Sequence, residues 1–263
     1  MTETAETRPV VLGVDHVSKT FGGLRAVDEV SFEVKEGQVF TMIGPNGAGK
    51  TTLFNVLTGL YKPTEGEVLF RGKSIGGEPP HRVTQRGIAR TFQNIRLFGY
   101  LPAVENVMIG HHCRMKAAVW DAVFRTPRAR REDKRTRELS MDLLEFVGVA
   151  QYAEDYARNL PYGDQRRLEI ARALASEPSL LLLDEPAAGL NPSEKTGLGE
   201  LIYKIRDRGI TVFLIEHDMK VVMNISDEIV VLDHGAKIAE GTPAVVRANP
   251  LVIEAYLGKS AAA

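Results

Sequence analysis

The sequence of 263 residues contains a single cysteine, Cys113. One cysteine excludes an internal disulfide, excludes the paired thiolates of a structural zinc site and is typical of a reducing compartment. The first ten residues, MTETAETRPV, lack the basic start and the apolar stretch of a secretory signal. We therefore expect a protein of a reducing compartment that carries no secretory leader.

Long apolar runs and an excess of charge of one sign are also missing. The longest apolar run, LLLL at 180–183, is far shorter than the roughly 20 residues that cross a bilayer. The 33 basic and 34 acidic residues leave a net charge of −1, and no segment forms the basic face that covers nucleic-acid phosphates. We expect a soluble chain with no nucleic-acid partner, which reaches a membrane only through another protein.

Two apolar segments, SLLLLDEP and ITVFLIEHD, predict parallel strands that are buried on both faces. Helical segments lie between them, so we expect a parallel α/β sheet with right-handed crossovers. The segment VSFEVKEGQVFTMIG predicts a hairpin about residues 35–37 that ends in a buried strand at 39–43. EIVVLDHGAKIAEG predicts a second hairpin with its turn near 233–235, and a terminal helix should follow.

The middle of the chain, from about residue 94 to 167, differs from its flanks. LSMDLLEFVGV places Leu139, Leu143, Phe146 and Val147 at helical spacing. The mixed-charge stretch RTPRARREDKRTRE is interpreted as a solvated helix face or loop. This stretch is therefore predicted to be a helical insertion in the α/β core.

A glycine-rich segment, GPNGAGKTT, follows the predicted strand at 39–43 and precedes a predicted helix. It matches the phosphate-loop pattern, in which glycines let consecutive N–H groups surround an anion at a helix N-terminus. Lys50 would contact the β- and γ-phosphates, and the Thr51 hydroxyl could bind Mg²⁺. The predicted nucleotide-binding residues are Gly44, Pro45, Asn46, Gly47, Ala48, Gly49, Lys50, Thr51 and Thr52.

Two carboxylates, Asp184 and Glu185, end the apolar run LLLLDEP. The carboxyl end of a buried parallel strand lies beside the phosphate loop in a sheet of this kind. Asp184 could hold Mg²⁺ through water, and Glu185 could act as a general base on the attacking water. The alternative is an acidic pair that only caps the next helix, and the phosphate loop favours the catalytic interpretation.

The phosphate loop, LLLLDEP and LPYGDQRR together resemble the ATP-binding subunits of ABC transporters. This resemblance implies ATP and Mg²⁺ as cofactors and ATP hydrolysis as the activity. It also implies that Gln93 in RTFQNIRLF contacts the metal, that Asn191 belongs to the D-loop, that His217 is the switch histidine and that Phe21 stacks on adenine.

The signature loop of that family reads Leu-Ser-Gly-Gly-Gln, and here Leu160 to Asp164 stand in its place. Pro161, Tyr162 and Gly163 are the residues expected to approach ATP, with Pro161 as the first helical residue. A carboxylate near ATP phosphates would repel them, so we expect Asp164 to face away, towards Arg166, Arg167 or a partner chain.

The fold implied is α/β: a P-loop NTPase core with a mostly parallel sheet, an N-terminal antiparallel β subdomain and an inserted helical subdomain. The core should comprise residues 1–92 and 168–263, and the helical subdomain with its signature loop residues 93–167. Phe98, Tyr100 and Leu101 are predicted to form part of a groove that receives a permease helix.

Within the family, the resemblance is closest to the larger ATPase subunit of branched-chain amino-acid importers, carried by FGGLRAV, YGDQRRLEIARAL, LDEPAAGLNP and NPLVIEAYLG. It implies a peripheral location on the cytoplasmic face of the membrane, permease subunits, a second ATPase subunit (itself or a paralogue) in a head-to-tail dimer and, indirectly, a periplasmic binding protein. Uptake of other amino acids, urea or amides, lipid export and a soluble, non-transport ABC ATPase remain the alternatives.

Overall fold

The chain begins with a long antiparallel hairpin that forms half of a small sheet. The computed structural model describes residues 8–114 and 126–257. Strands β1 (Val10–Phe21) and β2 (Leu24–Lys35) pair through a turn at Gly22, whose φ of 55° suits glycine. Strands β4 (Glu65–Phe70) and β5 (Lys73–Ser74) complete the sheet, in the order β2-β1-β4-β5.

The second sheet has six strands in the order β10-β9-β3-β8-β7-β6. Five of them are parallel, and only β10 runs antiparallel to its neighbour β9. Every residue of β3, β7 and β8 is buried, as both-face burial of a parallel sheet requires. The predicted parallel α/β core is therefore confirmed. The strands are β3 (Val39–Ile43), β6 (Ile88–Arg90), β7 (Leu180–Asp184), β8 (Thr211–Ile215), β9 (Glu228–Asp233) and β10 (Ala236–Gly241).

The predicted hairpin about residues 35–37 is wrong, because β2 and β3 lie in different sheets. Strand β2 pairs with β1, whereas β3 pairs with β8 and β9. A strand buried on both faces needs a central position in the helix-covered sheet, and Gly37, with φ of 68°, lets the chain cross there. The second predicted hairpin is confirmed: β9 and β10 pair about His234 and Gly235, which both have positive φ.

The helices connect the strands and cover the large sheet. The predicted terminal helix is split in two at residues 248–249. The helices are α1 (Lys50–Leu57), α2 (Pro80–Arg86), α3 (Ala103–Gly110), α4 (Pro127–Val147), α5 (Tyr162–Leu174), α6 (Pro192–Asp207), α7 (Met219–Ile225), α8 (Pro243–Arg247) and α9 (Pro250–Leu257). Short 3₁₀ segments span His111–Arg114, Ala150–Tyr152 and Ala157–Asn159.

Helix α4 buries a face that only partly coincides with the predicted apolar positions. Thr136, Ser140, Leu144 and Val147 are buried, whereas Leu143 and Phe146 are half-buried and Leu139 is 37% exposed. The buried Ser140 hydroxyl donates to the Thr136 carbonyl at 2.7 Å, which lets a polar residue lie on the packed face. The mixed-charge stretch RTPRARREDKRTRE forms the first part of this helix, from Pro127 onward. Residues 115–125 lie outside the described part of the chain.

Helices α3, α4 and α5 pack on one another and join the apolar side chains of one face of the large sheet. Helix α5 spans Tyr162–Leu174, so the predicted boundary at 167/168 falls within a helix. The division into core and helical subdomain stays a prediction. In residues 8–114 and 126–257, no helix combines the length and the apolar character that crossing a bilayer requires.

An aromatic cluster fills the space between the two sheets. The ring of Phe213 on β8 contacts Phe40, Phe54 and Phe32 edge-on, with centroid distances of 5.1, 5.0 and 5.8 Å. Edge-to-face rings stabilise a core beyond the area that they bury. Phe213 thus joins the antiparallel sheet, the large sheet and the helix that follows the phosphate loop.

We expect Phe213→Ala to lower the free energy of unfolding by about 3–5 kcal/mol, because it leaves a cavity at this three-way contact. Urea denaturation followed by circular dichroism measures the change. The control is Val245→Ala at a position that is 56% exposed, where a change within about 0.5 kcal/mol is expected. Equal effects of the two substitutions would contradict the central position of Phe213.

Candidate nucleotide site

The order of the parallel strands places the sequence motifs along one edge of the large sheet. Strands β3, β8, β7 and β6 are consecutive neighbours, and their carboxyl ends point the same way. The phosphate loop leaves β3, and His217 follows β8. Asp184 ends β7 and Glu185 follows it, and Gln93 follows β6. Ligands of open α/β sheets bind at this edge.

Two glycines give the phosphate loop its shape. Gly44 has φ of 153° and Gly49 has φ of 95°. A Cβ at Gly44 would lie 2.1 Å from the Leu232 carbonyl oxygen, and one at Gly49 would lie 2.4 Å from the Ala26 carbonyl oxygen. The loop therefore packs so closely on the neighbouring backbone that only glycine fits, and it ends at the N-terminus of α1.

The ammonium group of Lys50 folds back over the phosphate loop. Its Nζ donates to the carbonyl oxygens of Gly44 at 2.7 Å and Pro45 at 2.8 Å. Burial lowers the pKa of Lys50, and the nearby carboxylates of Glu185 and Asp184 oppose that shift. The Lys50 cation is thus held at the loop that is predicted to bind the phosphates. Thr51 and Thr52 follow in the first turn of α1.

Three predicted residues meet at the Glu185 carboxylate. Gln93 Nε2 donates to Glu185 Oε2 at 3.0 Å, and His217 Nδ1 lies 3.5 Å from the same oxygen. The backbone of Glu185 has φ of 47°, and its N–H donates to the Ile215 carbonyl at 2.9 Å. This strained conformation aims the side chain along the sheet edge instead of continuing the strand.

Asp184 has a partner that the sequence did not reveal. Arg90 Nη2 donates to Asp184 Oδ2 at 2.7 Å, and Nη1 donates to Asn55 Oδ1 at 2.7 Å. The side chains of Arg90 and Asp184 are 7% and 5% exposed. The only signal in the sequence is a charged residue that ends the short apolar strand before Gln93.

Glu216 is a second buried carboxylate that sequence reasoning missed. It accepts hydrogen bonds from the N–H groups of Ala187 at 2.8 Å and His217 at 3.1 Å. Burial raises the pKa of Glu216, and these hydrogen bonds oppose the shift. Glu216 thereby ties the D-loop candidate, residues 186–191, to the segment that carries His217.

The signature-loop candidates lie at the start of α5. Pro161 is the residue before the helix, with an extended ψ of 151°, so the first helical residue is Tyr162 and the prediction for Pro161 is wrong by one position. Its missing N–H costs nothing there, because N-terminal helix donors lack intrahelical partners. The Tyr162 ring lies beside Gly189, and Gly163 lies beside the Glu194 side chain.

The surroundings of Asp164 are mixed in charge. Burial raises the pKa of Asp164, the cation of Arg167 opposes that shift and the anion of Glu194 adds to it. Arg166, one of the expected partners, is directed instead to the backbone of Phe92 and Gln93. The orientation of Asp164 away from nucleotide stays a prediction.

Asn191 and Phe21 lie outside the group of residues around Glu185. Asn191 caps α6: its side chain accepts from the Glu194 N–H at 3.0 Å, and Glu194 accepts from the Asn191 N–H at 2.8 Å. Phe21 is 40% exposed, contacts the Tyr61 ring edge-on at 5.2 Å and lies 5.0 Å from Lys19 Nζ. Stacking of adenine on this partly exposed ring stays a prediction.

A family model described as ABC transporter matches residues 27–188. The chain belongs to the ABC transporter family. A second model, described as branched-chain amino acid ATP-binding cassette transporter, matches residues 236–262 of this ATP-binding cassette.

Curated relatives of this ABC protein match it from end to end. A Pseudomonas aeruginosa protein, the high-affinity branched-chain amino acid transport ATP-binding protein BraF, is 49% identical over 97% of this chain and 100% of its own length. The corresponding Escherichia coli protein, LivG, is 46% identical over 95% of this chain and 98% of its own.

Solved ABC cassettes share the fold. A nucleotide-free cassette from an ABC transporter is 32% identical, covers 95% of this chain and 100% of its own, and superposes with a TM-score of 0.83. A dimeric cassette bound to ADP and phosphate is 26% identical, covers 88% of this chain and 98% of its own, and gives a TM-score of 0.75. The predicted P-loop NTPase fold and ATPase activity are confirmed.

We expect Glu185→Gln to lower the rate of ATP hydrolysis by about 10²–10⁴-fold, because an amide cannot accept the proton of the attacking water. Binding of ATP, measured by titration with a fluorescent analogue, should persist, since the phosphate loop is unchanged. The matched control is Glu67→Gln on the exposed surface of β4, which should hydrolyse ATP at the wild-type rate. Comparable rates in both variants would exclude Glu185 as the base.

Proposed function

We propose that the chain is the ATP-hydrolysing subunit of an importer for branched-chain amino acids. The observation that carries the proposal is the full-length identity of 46–49% to proteins of that transport function, together with the family match at residues 236–262. The chain works with permease subunits in the membrane and, through them, with a periplasmic binding protein. Its place is the cytoplasmic face of that membrane.

The site supports hydrolysis by positioning and electrostatics. The phosphate-loop amides, the N-terminus of α1 and Lys50 bind the β- and γ-phosphates. Glu185 takes the proton of the attacking water, while the contacts from Gln93 and His217 hold its carboxylate at the sheet edge. Phe21 stacks on the adenine ring from its exposed face.

Oxygen donors suited to Mg²⁺ stand at the same edge of the sheet. Thr51, Gln93 and Asp184 offer a hydroxyl, an amide oxygen and a carboxylate, the hard ligands that Mg²⁺ prefers. The Asp184 carboxylate is held in place by Arg90 at 2.7 Å. When bound, Mg²⁺ neutralises charge that develops on the transferred phosphoryl group.

A second ATPase subunit completes the site in trans. Known cassettes of this family form dimers, as the relative with ADP and phosphate shows. In a head-to-tail dimer, Tyr162 and Gly163 at the α5 N-terminus supply backbone N–H groups to the γ-phosphate of the partner's ATP, and Pro161 sets the backbone that leads into this helix. Asn191 lies at the same interface, at the N-terminus of α6.

A groove between α3 and α4 offers a docking place for the permease. It has a volume of about 570 Å³. Its apolar lining residues are Leu101, Met108 and Ile109, and its polar lining residues are Glu105, His112, Asp133, Thr136 and Arg137. Such a groove suits an amphipathic helix. Of the three residues predicted to form a docking groove, Leu101 lines this one, whereas Phe98 and Tyr100 lie outside its lining. Arg172 lies over the Phe98 ring and Arg158 over the Tyr100 ring.

Uptake of radiolabelled leucine tests the transported substrate. A strain that lacks this gene should lose uptake of leucine, isoleucine and valine, and the wild-type gene should restore it, whereas the Glu185→Gln gene should not. Unchanged uptake of all three amino acids in the deletion strain would overturn the proposal. Loss of urea or amide uptake instead would assign the chain to one of those systems.

We expect Ile109→Asp to reduce transport by more than about tenfold, because a charge in the groove must be desolvated when the permease helix docks. Basal ATP hydrolysis by the purified chain should stay near the wild-type rate, since Ile109 lies on α3, away from the sheet edge. The control is Val245→Asp, at an exposed position on α8. Wild-type uptake with Ile109→Asp would exclude the groove as the docking place.

A further inference from the structure

A buried ion pair lies on α5, one turn after its start. Arg166 Nη1 lies 3.0 Å from Glu169 Oε2, and both side chains are 1% exposed. Neither is among the residues to which nucleotide binding or hydrolysis was assigned above. A buried ion pair needs further hydrogen bonds to offset the loss of hydration, so the remaining partners of these two groups are informative.

The remaining partners belong to the backbone of the Gln93 loop. Arg166 donates to the Phe92 carbonyl at 2.8 Å and to the Gln93 carbonyl at 2.9 Å. Glu169 Oε1 accepts from the N–H groups of Phe92 at 3.4 Å and Arg96 at 3.3 Å. The pair therefore binds both the acceptors and the donors of the segment that presents Gln93 to Glu185.

The same guanidinium also reaches the signature loop. Arg166 Nη2 lies 3.4 Å from the Tyr162 hydroxyl, and its carbon lies 6.0 Å from the centre of the Tyr162 ring. Tyr162 in turn packs against Gly189, where a Cβ would lie 3.0 Å from its ring. The Arg166 side chain thus contacts both the Gln93 loop and Tyr162 of the signature loop.

The geometry distinguishes positioning from general stabilisation. An apolar pair of similar volume often stabilises a core as well as a buried ion pair does. Such a pair would lack the four hydrogen bonds to residues 92–96, so it would fill the space without fixing the loop. Burial raises the pKa of Glu169, and Arg166 and the two loop N–H groups oppose the shift, consistent with a carboxylate held by these partners.

We propose that Arg166 and Glu169 are positioning residues that couple the conformation of the Gln93 loop to that of the signature loop. A γ-phosphate at the phosphate loop changes the contacts of Gln93, and the ion pair transmits the displacement to Tyr162 and the start of α5. The proposal rests on nucleotide binding by the chain and is independent of the transported substrate.

Hydrogen exchange measured by mass spectrometry on the full chain tests this coupling. In the wild type, peptides covering residues 92–97 and 160–166 should exchange about fivefold more slowly with AMP-PNP and Mg²⁺ than with ADP and Mg²⁺. In Arg166→Met/Glu169→Leu, the difference at 160–166 should disappear. The affinity for AMP-PNP should stay within about twofold, because the phosphate loop is untouched.

A second variant and a stability control protect the test. Arg166→Lys keeps the charge but cannot donate to two carbonyls in a fixed fork, so it should retain less than about half of the exchange difference. Ile202→Val, in the buried core of α6, should lower the melting temperature while keeping the full difference.

Three results would overturn the proposal. They are a wild type without a nucleotide-dependent difference at 160–166, a double variant that keeps the whole difference, and a double variant whose exchange rises equally in all peptides.

Discussion

The order β3-β8-β7-β6 in the parallel sheet is the constraint on which the site depends. Strands that are neighbours and parallel end at the same edge, so the segments that leave them lie side by side. This order requires that β3, β7 and β8 be buried on both faces, by the antiparallel sheet and its aromatic cluster on one side and by helices on the other. The position of Glu185 beside the phosphate loop is thus a consequence of core packing.

Three carboxylates at this edge are held in different ways, and the differences separate their roles. Asp184 is paired with the Arg90 cation, and Glu216 accepts backbone N–H groups. Among the residues that the structure describes, the Glu185 carboxylate accepts from the Gln93 side chain and lies near the His217 ring. Asp184 and Glu216 are thus occupied by a buried cation and by backbone donors, whereas Glu185 meets side chains that follow strand ends, and we therefore propose Glu185 as the carboxylate that meets the water.

Side chains of two helices hold the segment between Gln93 and the α3–α4 groove at residues 92–96 and at Phe98. Arg166 and Glu169 bind residues 92–96 from α5. Asn106, fully buried on α3, accepts from the Phe98 N–H at 2.8 Å and donates to the carbonyl oxygens of Phe98 and Pro102, both at 3.1 Å. Side chains of α5 and α3 therefore hold two parts of the segment, residues 92–96 and Phe98, that lies between the nucleotide site and the proposed docking groove.

The sequence by itself determined the phosphate loop and the buried strands, because glycine conformation and apolar runs are local properties, while Gln93 and His217 beside Glu185 were predicted from the resemblance of their motifs to the family. Only the tertiary structure decided that β2 pairs away from β3, that α4 buries Ser140 and Leu144 in place of Leu139, and that the side chains of Arg90 and Arg166 are buried. A buried arginine has no sequence pattern of its own. Its burial depends on carbonyls and carboxylates that distant segments supply, and only folding brings them together.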